Sequence, residues 1–394
     1  MMLRNASIFS QLLSLINRNN FSRLVKETHA EKGAKGFSCW DQFVAMMFCQ
    51  LAQAKSLREI GSGLRSCEGK LKHLGLSQAP GRSTLAYANA HRPWTLFEGV
   101  FHQVLAQAQA YAPKKKLRFK HKLYSMDSTV IELCAAMFDW AKFQTTKGAV
   151  KLHLMLDHDG CLPHYALITE GKVADVTVAQ QLDMPKGSIV VIDRGYIDYH
   201  MFERWIAQGV GFVTRLKQGA NCFITAEHEV PANRNIRADE TIEFNVFHAG
   251  RKIKGSYRRV KVWLEDKQEE LVLLTNLHDL GATTIAAIYK QRWQIELFFK
   301  AIKQNLKIKT FVGTSANAVR IQIWTALIAI VLMKLLQFRS RLKWALSNLV
   351  ALLRWNLFAY RDLWVWIDDP YSHPPNQEED PAQLSFFLDS TAAP

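Results

Sequence analysis

The most apolar window of the chain runs from Ile321 to Phe338, and nothing else limits the possible folds as strongly. Gln322 and Lys334 bracket a run that falls short of the roughly 20 residues a membrane span requires. The window therefore reads as a buried helix that the rest of the chain must enclose. A chain of 394 residues with 48% apolar residues has the material to do so, and its length allows two or three domains. Ile8 to Ile16 is too short and too interrupted for a signal peptide, and no small-residue cleavage site follows it.

Periodicity divides the chain. Residues 1–110 have helical spacing, as in Ile8, Leu12, Leu13, Ile16 and in Phe43, Met46, Met47, Leu51 after a Ser38/Asp41 start. Pro80-Gly81 precedes a short helix with Arg82, Tyr87, Asn89 and His91, whose polar side chains suit DNA contact, though small helical bundles share the same pattern. A basic connector follows, with Lys114, Lys115, Lys116, Arg118, Lys120 and Lys122. Strands are predicted over 123–133, 150–157 and 162–169, with Asp159-Gly160 as a hairpin turn, then a helix over 174–182. Ser188-Ile-Val-Val-Ile-Asp193 reads as a buried strand delivering a carboxylate at its end. A helix over 199–207 and a strand over 211–216 complete a mixed α/β sheet across 111–217. Residues 218–270 read as a β-rich insertion, strongly basic and DNA-facing through residues such as Arg258 and Arg259. Residues 271–340 return to a strand and then helices, and 341–394 hold a last helix and an acidic, Pro-containing tail.

The net charge of +15 and pI near 9.5 favour a polyanionic partner, nucleic acid or an anionic membrane. Six scattered cysteines without a C-x-x-C pair indicate reduced thiols rather than a disulfide framework or a zinc site.

Read as one helix, Tyr289, Arg292, Glu296, Lys300 and Lys303 fall within roughly 80° of each other, while Ile295, Phe298, Phe299 and Ile302 take another side. One face packs, and the other frames a lone carboxylate with cations and a phenol. Such a face can be ordinary i,i+4 pairing on a solvated helix. Asp127 within a strand and Asp193 at a strand end can likewise be structural, capping turns or pairing with arginine. Taken together, Asp127, Asp193 and Glu296 match a hard-cation site. Carboxylates forced together repel unless a divalent ion lies between them, and Mg²⁺ keeps most of its waters while leaving room for phosphate oxygens. No Walker lysine loop, G-x-S-x-G elbow or H-E-x-x-H motif is present, and a glycosidase pair would not explain the positive charge.

The order Asp127…Asp193…Glu296 resembles the DDE transposases with an RNase-H-like core. Tyr289-x2-Arg292-x3-Glu296-x6-Lys303 reproduces the YREK signature of the insertion-sequence-four family, and Asp193-Arg-Gly195-Tyr196 resembles its second-Asp motif. Phe37 to Met47 is similar to the small helical domain that precedes the core in such bacterial proteins. The resemblance implies an RNase-H-like mixed sheet with flanking helices, a β-rich insertion and an all-α N-terminal domain for DNA binding and dimerisation. It implies that Asp127, Asp193 and Glu296 bind two Mg²⁺ ions, with Mn²⁺ able to substitute. Tyr289, Arg292 and Lys303 would hold DNA phosphates, with Lys300 beside them.

The implied activity is cut-and-paste transposition: cleavage at the inverted-repeat ends of an insertion sequence and joining of the 3′-OH ends to target DNA. A homodimer on double-stranded DNA in the bacterial cytoplasm, without membrane attachment, is the implied setting. A catalytically silent DNA-binding regulator and an RNase-H-like nuclease without strand transfer are the alternatives. Family members often stack an aromatic on a flipped base. Trp263 is the candidate for that role here, with packing as its other reading.

Overall fold

The computed structural model describes residues 6–372, apart from 35, 68, 115–119, 135–139, 141, 145–146, 231, 233–234, 245–246, 249, 254 and 309. Lys115, Lys116 and Arg118 of the basic connector and the tail from residue 373 lie outside the described residues.

Six helices open the chain: α1 (Ile8–Ser14), α2 (Arg18–Glu27), α3 (Cys39–Ala52), α4 (Leu57–Ser66), α5 (Arg82–His91) and α6 (Thr95–Tyr111). Oxygen-bearing caps start the first four. Ser38 and Asp41 form the reciprocal capping box their spacing predicts, each side chain accepting from the other's backbone N–H. The apolar window becomes α11 (Ala316–Arg339), and 89% of its most apolar stretch is buried. Helices α3, α5 and α6 pack against it from the N-terminal side. From the other end of the chain come α10 (Trp293–Asn305) and α12 (Leu346–Asn356). Buried Gln322 gives α11 a polar anchor: its amide donates to the carbonyls of Lys307 and Thr310 and accepts from the Val312 N–H. One apolar cluster thus runs from Ile8 through α11 to Ile367 and reaches Ile131, Leu152 and Leu154 on the sheet.

Ten strands make one sheet, ordered β2-β3-β1-β5-β6-β12-β11-β8-β7, with β4 also paired to β3. The strands are β1 (Leu123–Cys134), β2 (Lys142–Gln144), β3 (Lys147–Asp157), β4 (Leu162–Glu170), β5 (Ile189–Val191) and β6 (Gly211–Arg215). Then come β7 (Cys222–Glu227), β8 (Ile236–Phe244), β11 (Ser256–Leu264) and β12 (Glu269–Thr275), while β9 (Phe247–His248) and β10 (Arg251–Lys252) form a separate ribbon. Within the half β4-β3-β1-β5-β6, only β3 runs against the others. That order and polarity are the RNase-H-like arrangement. Asp159-Gly160 does form the β3–β4 turn, with Gly160 at φ +67°. Helices α7 (Asp175–Gln180) and α8 (Tyr199–Ala207) carry the chain from β4 to β5 and from β5 to β6.

The β-rich segment expected over 218–270 is present, and β7, β8 and β11 continue the core sheet edge to edge through β12. Its ladder groups are satisfied by joining the strands already present. The helix expected to pass through Tyr289 is two helices, α9 (Ala282–Lys290) and α10. Between them, the N–H groups of Gln291, Arg292, Gln294 and Ile295 donate to carbonyls three residues back. This 3₁₀ step tightens the chain and changes the phase of every residue beyond it.

Candidate active site

Strand parity decides which face receives each acid. Along β1, Leu123 packs on the α9 side while Tyr124 and Met126 pack on the side of α8. Asp127 shares parity with Leu123. On β5, Ile189 and Val191 pack with Leu123, and Asp193 shares their parity. Strands β1 and β5 are parallel with Ser125 opposite Val191, so two further residues along that register bring Asp193 beside Asp127. Helix α10 packs on β1 through buried Ile295, Phe298, Phe299 and Ile302, leaving half-buried Glu296 to the strand-end side.

Arg292, just before α10, ties this group together. Its guanidinium lies 2.6 Å from the Glu296 carboxylate and 3.6 Å from that of Asp127. Burial opposes the Arg292 charge, but Tyr289, Glu296 and Asp127 outweigh it and raise its pKa. The Asp127 carboxyl is pushed up to about 6, chiefly by burial, with the negative charges of Glu296 and Asp193 adding to it. The Ser128 N–H, 2.8 Å from Asp127 Oδ1, and Arg292 pull the other way. Asp127 feels both other acids, and with one cation seated between it and Glu296 the group calls for positive charge. Oxygen donors of this kind suit a hard divalent ion. In this arrangement Arg292 holds the position between Asp127 and Glu296, and among the described residues no three His, Cys, Asp or Glu side chains close around a single ion.

The other residues named from sequence divide into two groups. Tyr289 lies in the last turn of α9 and is buried. Burial raises its pKa, and its hydroxyl feels the charges of Arg292, Asp193 and Arg215. Lys303 donates to the Val130 carbonyl at 3.2 Å, fastening α10 to β1 three residues past Asp127. Lys300 is exposed on α10, and Arg82 is exposed at the first turn of α5, where it shares a shallow pocket with Arg58.

Arg258 and Arg259, expected to face DNA, are instead each tied to an acid on the neighbouring strand β8. Arg258 is buried, with its guanidinium 2.7 and 2.6 Å from the two carboxylate oxygens of Asp239, and it also donates to the carbonyls of Leu277, His278 and Leu280. Arg259 pairs with Glu240 at 2.5 Å. A basic residue on an inner strand is drawn to the acid on the next strand, since an unpaired buried charge is far costlier.

Sequence reasoning missed Arg215 at the end of β6, because one arginine in a strand carries no signal. It also missed Asp175, Lys151 and Ser128 behind the sheet, which lie far apart in sequence. Trp263, the candidate for base stacking, lines a cleft of about 530 Å³ with Trp293, Tyr289, Lys290 and Arg292.

An RNase-H-like sheet with one aspartate within β1, a second two residues past the adjacent parallel strand β5 and a glutamate on a helix packed against β1 points to a class, the nucleic-acid strand-processing enzymes. Residues 118–332 match the family described as "Transposase DDE domain", and residues 4–77 match one described as a domain of unknown function, DUF4372. The chain belongs to the DDE transposase family and is an enzyme of that type. Among its relatives is a protein of Sinorhizobium fredii named as a transposase, 30% identical over 78% of this chain and 86% of that one. Another, from Geobacillus stearothermophilus, is named as a transposase for an insertion sequence element and is 28% identical over 66% and 68% of the two chains. Among solved structures, the piggyBac transposase in a synaptic complex with hairpin DNA aligns at TM-score 0.47 and 10% identity, over 99% of this chain and 86% of that one. That likeness is too remote for comparing residues.

Proposed function

We propose that this protein binds the ends of an insertion sequence as a homodimer, cleaves the donor DNA by metal-dependent hydrolysis and joins the 3′-OH ends to target DNA. The observation that supports this reading is that Asp127 feels the charges of Asp193 and Glu296, with Arg292 seated between Asp127 and Glu296. Asp127, Asp193 and Glu296 would hold two Mg²⁺ ions, or Mn²⁺ in their place. Bound there, the ions supply activation of the attacking water or 3′-OH and stabilisation of the leaving oxygen.

The remaining roles fall to side chains. Arg292 exchanges its carboxylate partners for a backbone phosphate, which suits a planar guanidinium that can bind either in two-pronged fashion. Tyr289 orients it from the end of α9. Lys303 and exposed Lys300 add charge along the path of the strand, and Arg82 contacts duplex DNA further out. The Trp263–Trp293 cleft beside Arg292 is the place for a base turned out of the helix.

The test is cleavage of end-bearing duplex DNA with Mg²⁺ by the Glu296→Gln protein. Cleavage should fall below detection while end binding stays within a few-fold of wild type. Retained cleavage would remove Glu296 from the site.

A further inference from the structure

The reverse face of the sheet, behind the acids, carries a half-buried polar group that the proposed chemistry does not use. Ser128 follows Asp127 in β1 and so points to the opposite face. Its hydroxyl donates to Asp175 Oδ1 at 2.7 Å, while its backbone N–H donates to Asp127 Oδ1 at 2.8 Å. The same oxygen of Asp175 lies 3.1 Å from Lys151 Nζ and 3.6 Å from His153 Nδ1. Lys151 also donates to the Val173 carbonyl at 2.8 Å, which anchors the approach to α7. The Thr169 hydroxyl lies 2.9 Å from His153 Nε2 and 3.1 Å from the Glu170 carbonyl oxygen. Tyr196, three residues after Asp193, is buried where it feels the charges of Asp175, Asp127 and Asp193. One carboxylate on α7 thus gathers side chains from β1 and β3 directly behind the front-face acids.

We infer that Asp175 is a positioning residue: by clamping Ser128 from behind, it fixes the backbone N–H that sets the rotamer of Asp127 and so readies the front-face carboxylates for a divalent ion. This rests on the metal-site reading given above. Groups that orient the ligands of a metal typically change its affinity by about 10–100-fold when removed. All the contacts land on Oδ1, an oxygen that an amide keeps. The expectation is therefore specific to the residue type.

The test is Mn²⁺ titration of the full-length protein followed by electron paramagnetic resonance, with thermal melting alongside. Asp175→Ala and Ser128→Ala should each weaken Mn²⁺ binding by about 10–100-fold. Their combination should be little worse than either alone, because both break one path. Asp175→Asn should bind within a few-fold of wild type. Ser128→Ala removes only a hydroxyl, so it keeps the test decisive should Asp175→Ala fail to fold.

Unchanged Mn²⁺ affinity in folded Ser128→Ala or Asp175→Ala overturns the inference. So does Asp175→Asn binding as weakly as Asp175→Ala, which would make Asp175 a ligand itself. Asp127→Asn is the control. If it leaves Mn²⁺ binding intact, the metal-site reading fails, and the role of Asp175 fails with it. If it removes the site while Asp175→Ala does not, only the role of Asp175 fails.

Discussion

Single residues in this protein take their meaning from what faces them. Arg258 and Arg292 are both arginines paired with acids, yet one is enclosed by Asp239 and three carbonyls and the other bridges an open pair of carboxylates. Arg258→Ala should destabilise the fold by about 3–5 kcal/mol in chemical denaturation, because Asp239 is left buried without a counter-charge. The salt dependence of DNA binding should not change. A shallower slope of log K against log salt would return Arg258 to the DNA surface.

His153 provides a pH signature at the same scale. Burial is the main cause that holds its pKa down, to about 4 from an ordinary 6.5. The unfolded chain takes up a proton between those values and the folded one does not, so stability is full above about pH 6.5 and declines as pH falls toward 4. The loss amounts to about 3 kcal/mol at one 1.36 kcal/mol step per unit. His153→Gln should flatten that part of the stability–pH curve, and an unaltered curve would show that another group causes the decline.

At the scale of elements, turns and breaks decide where the chemistry points. The 3₁₀ step at Gln291–Arg292 separates Tyr289 from Glu296, so the signature residues reach the site from two helices. Nothing in Tyr289-Lys-Gln-Arg-Trp marks a break, because no Gly or Pro is present and each residue tolerates a helix. The β3–β4 turn was legible, since Asp-Gly favours the positive φ that Gly160 adopts. Its packing was not. A Cβ on Gly160 would come within 2.7 Å of Phe338 on α11, whereas one on Gly187, at φ +76°, meets nothing within 4 Å. Gly187→Ala should cost about 1–2 kcal/mol from its backbone alone. Gly160→Ala should cost about 1–3 kcal/mol more. Equal losses in denaturant midpoints would show that Phe338 yields freely.

For the whole molecule, the organising fact is that α11 serves two parts of the sequence at once. The N-terminal helices enclose it from one side, while α10, α12 and the sheet enclose it from another. A chain beginning at residue 111 would uncover the faces of α11 that α6 and α3 cover, Trp324 against Phe101 among them. We expect that truncated chain to aggregate or lose its cooperative melting transition. A soluble, monomeric product that melts cooperatively would show that residues 1–110 form a separable domain. The net charge of +15 likewise belongs to the whole chain, and it did not indicate which arginines face outward.

The sequence alone determined the alternation of strands and helices and the buried helix. These follow from local periodicity and from the spacing of charged residues against apolar ones, and both survive in one dimension. Only the tertiary structure decided that the β-rich segment extends the core sheet, that Arg258 is a structural cation, and that Asp175 lies behind Asp127. Each depends on pairing between strands or on the two faces of a sheet. Hydrogen bonding and burial there are settled by residues tens of positions away, with which no local pattern communicates.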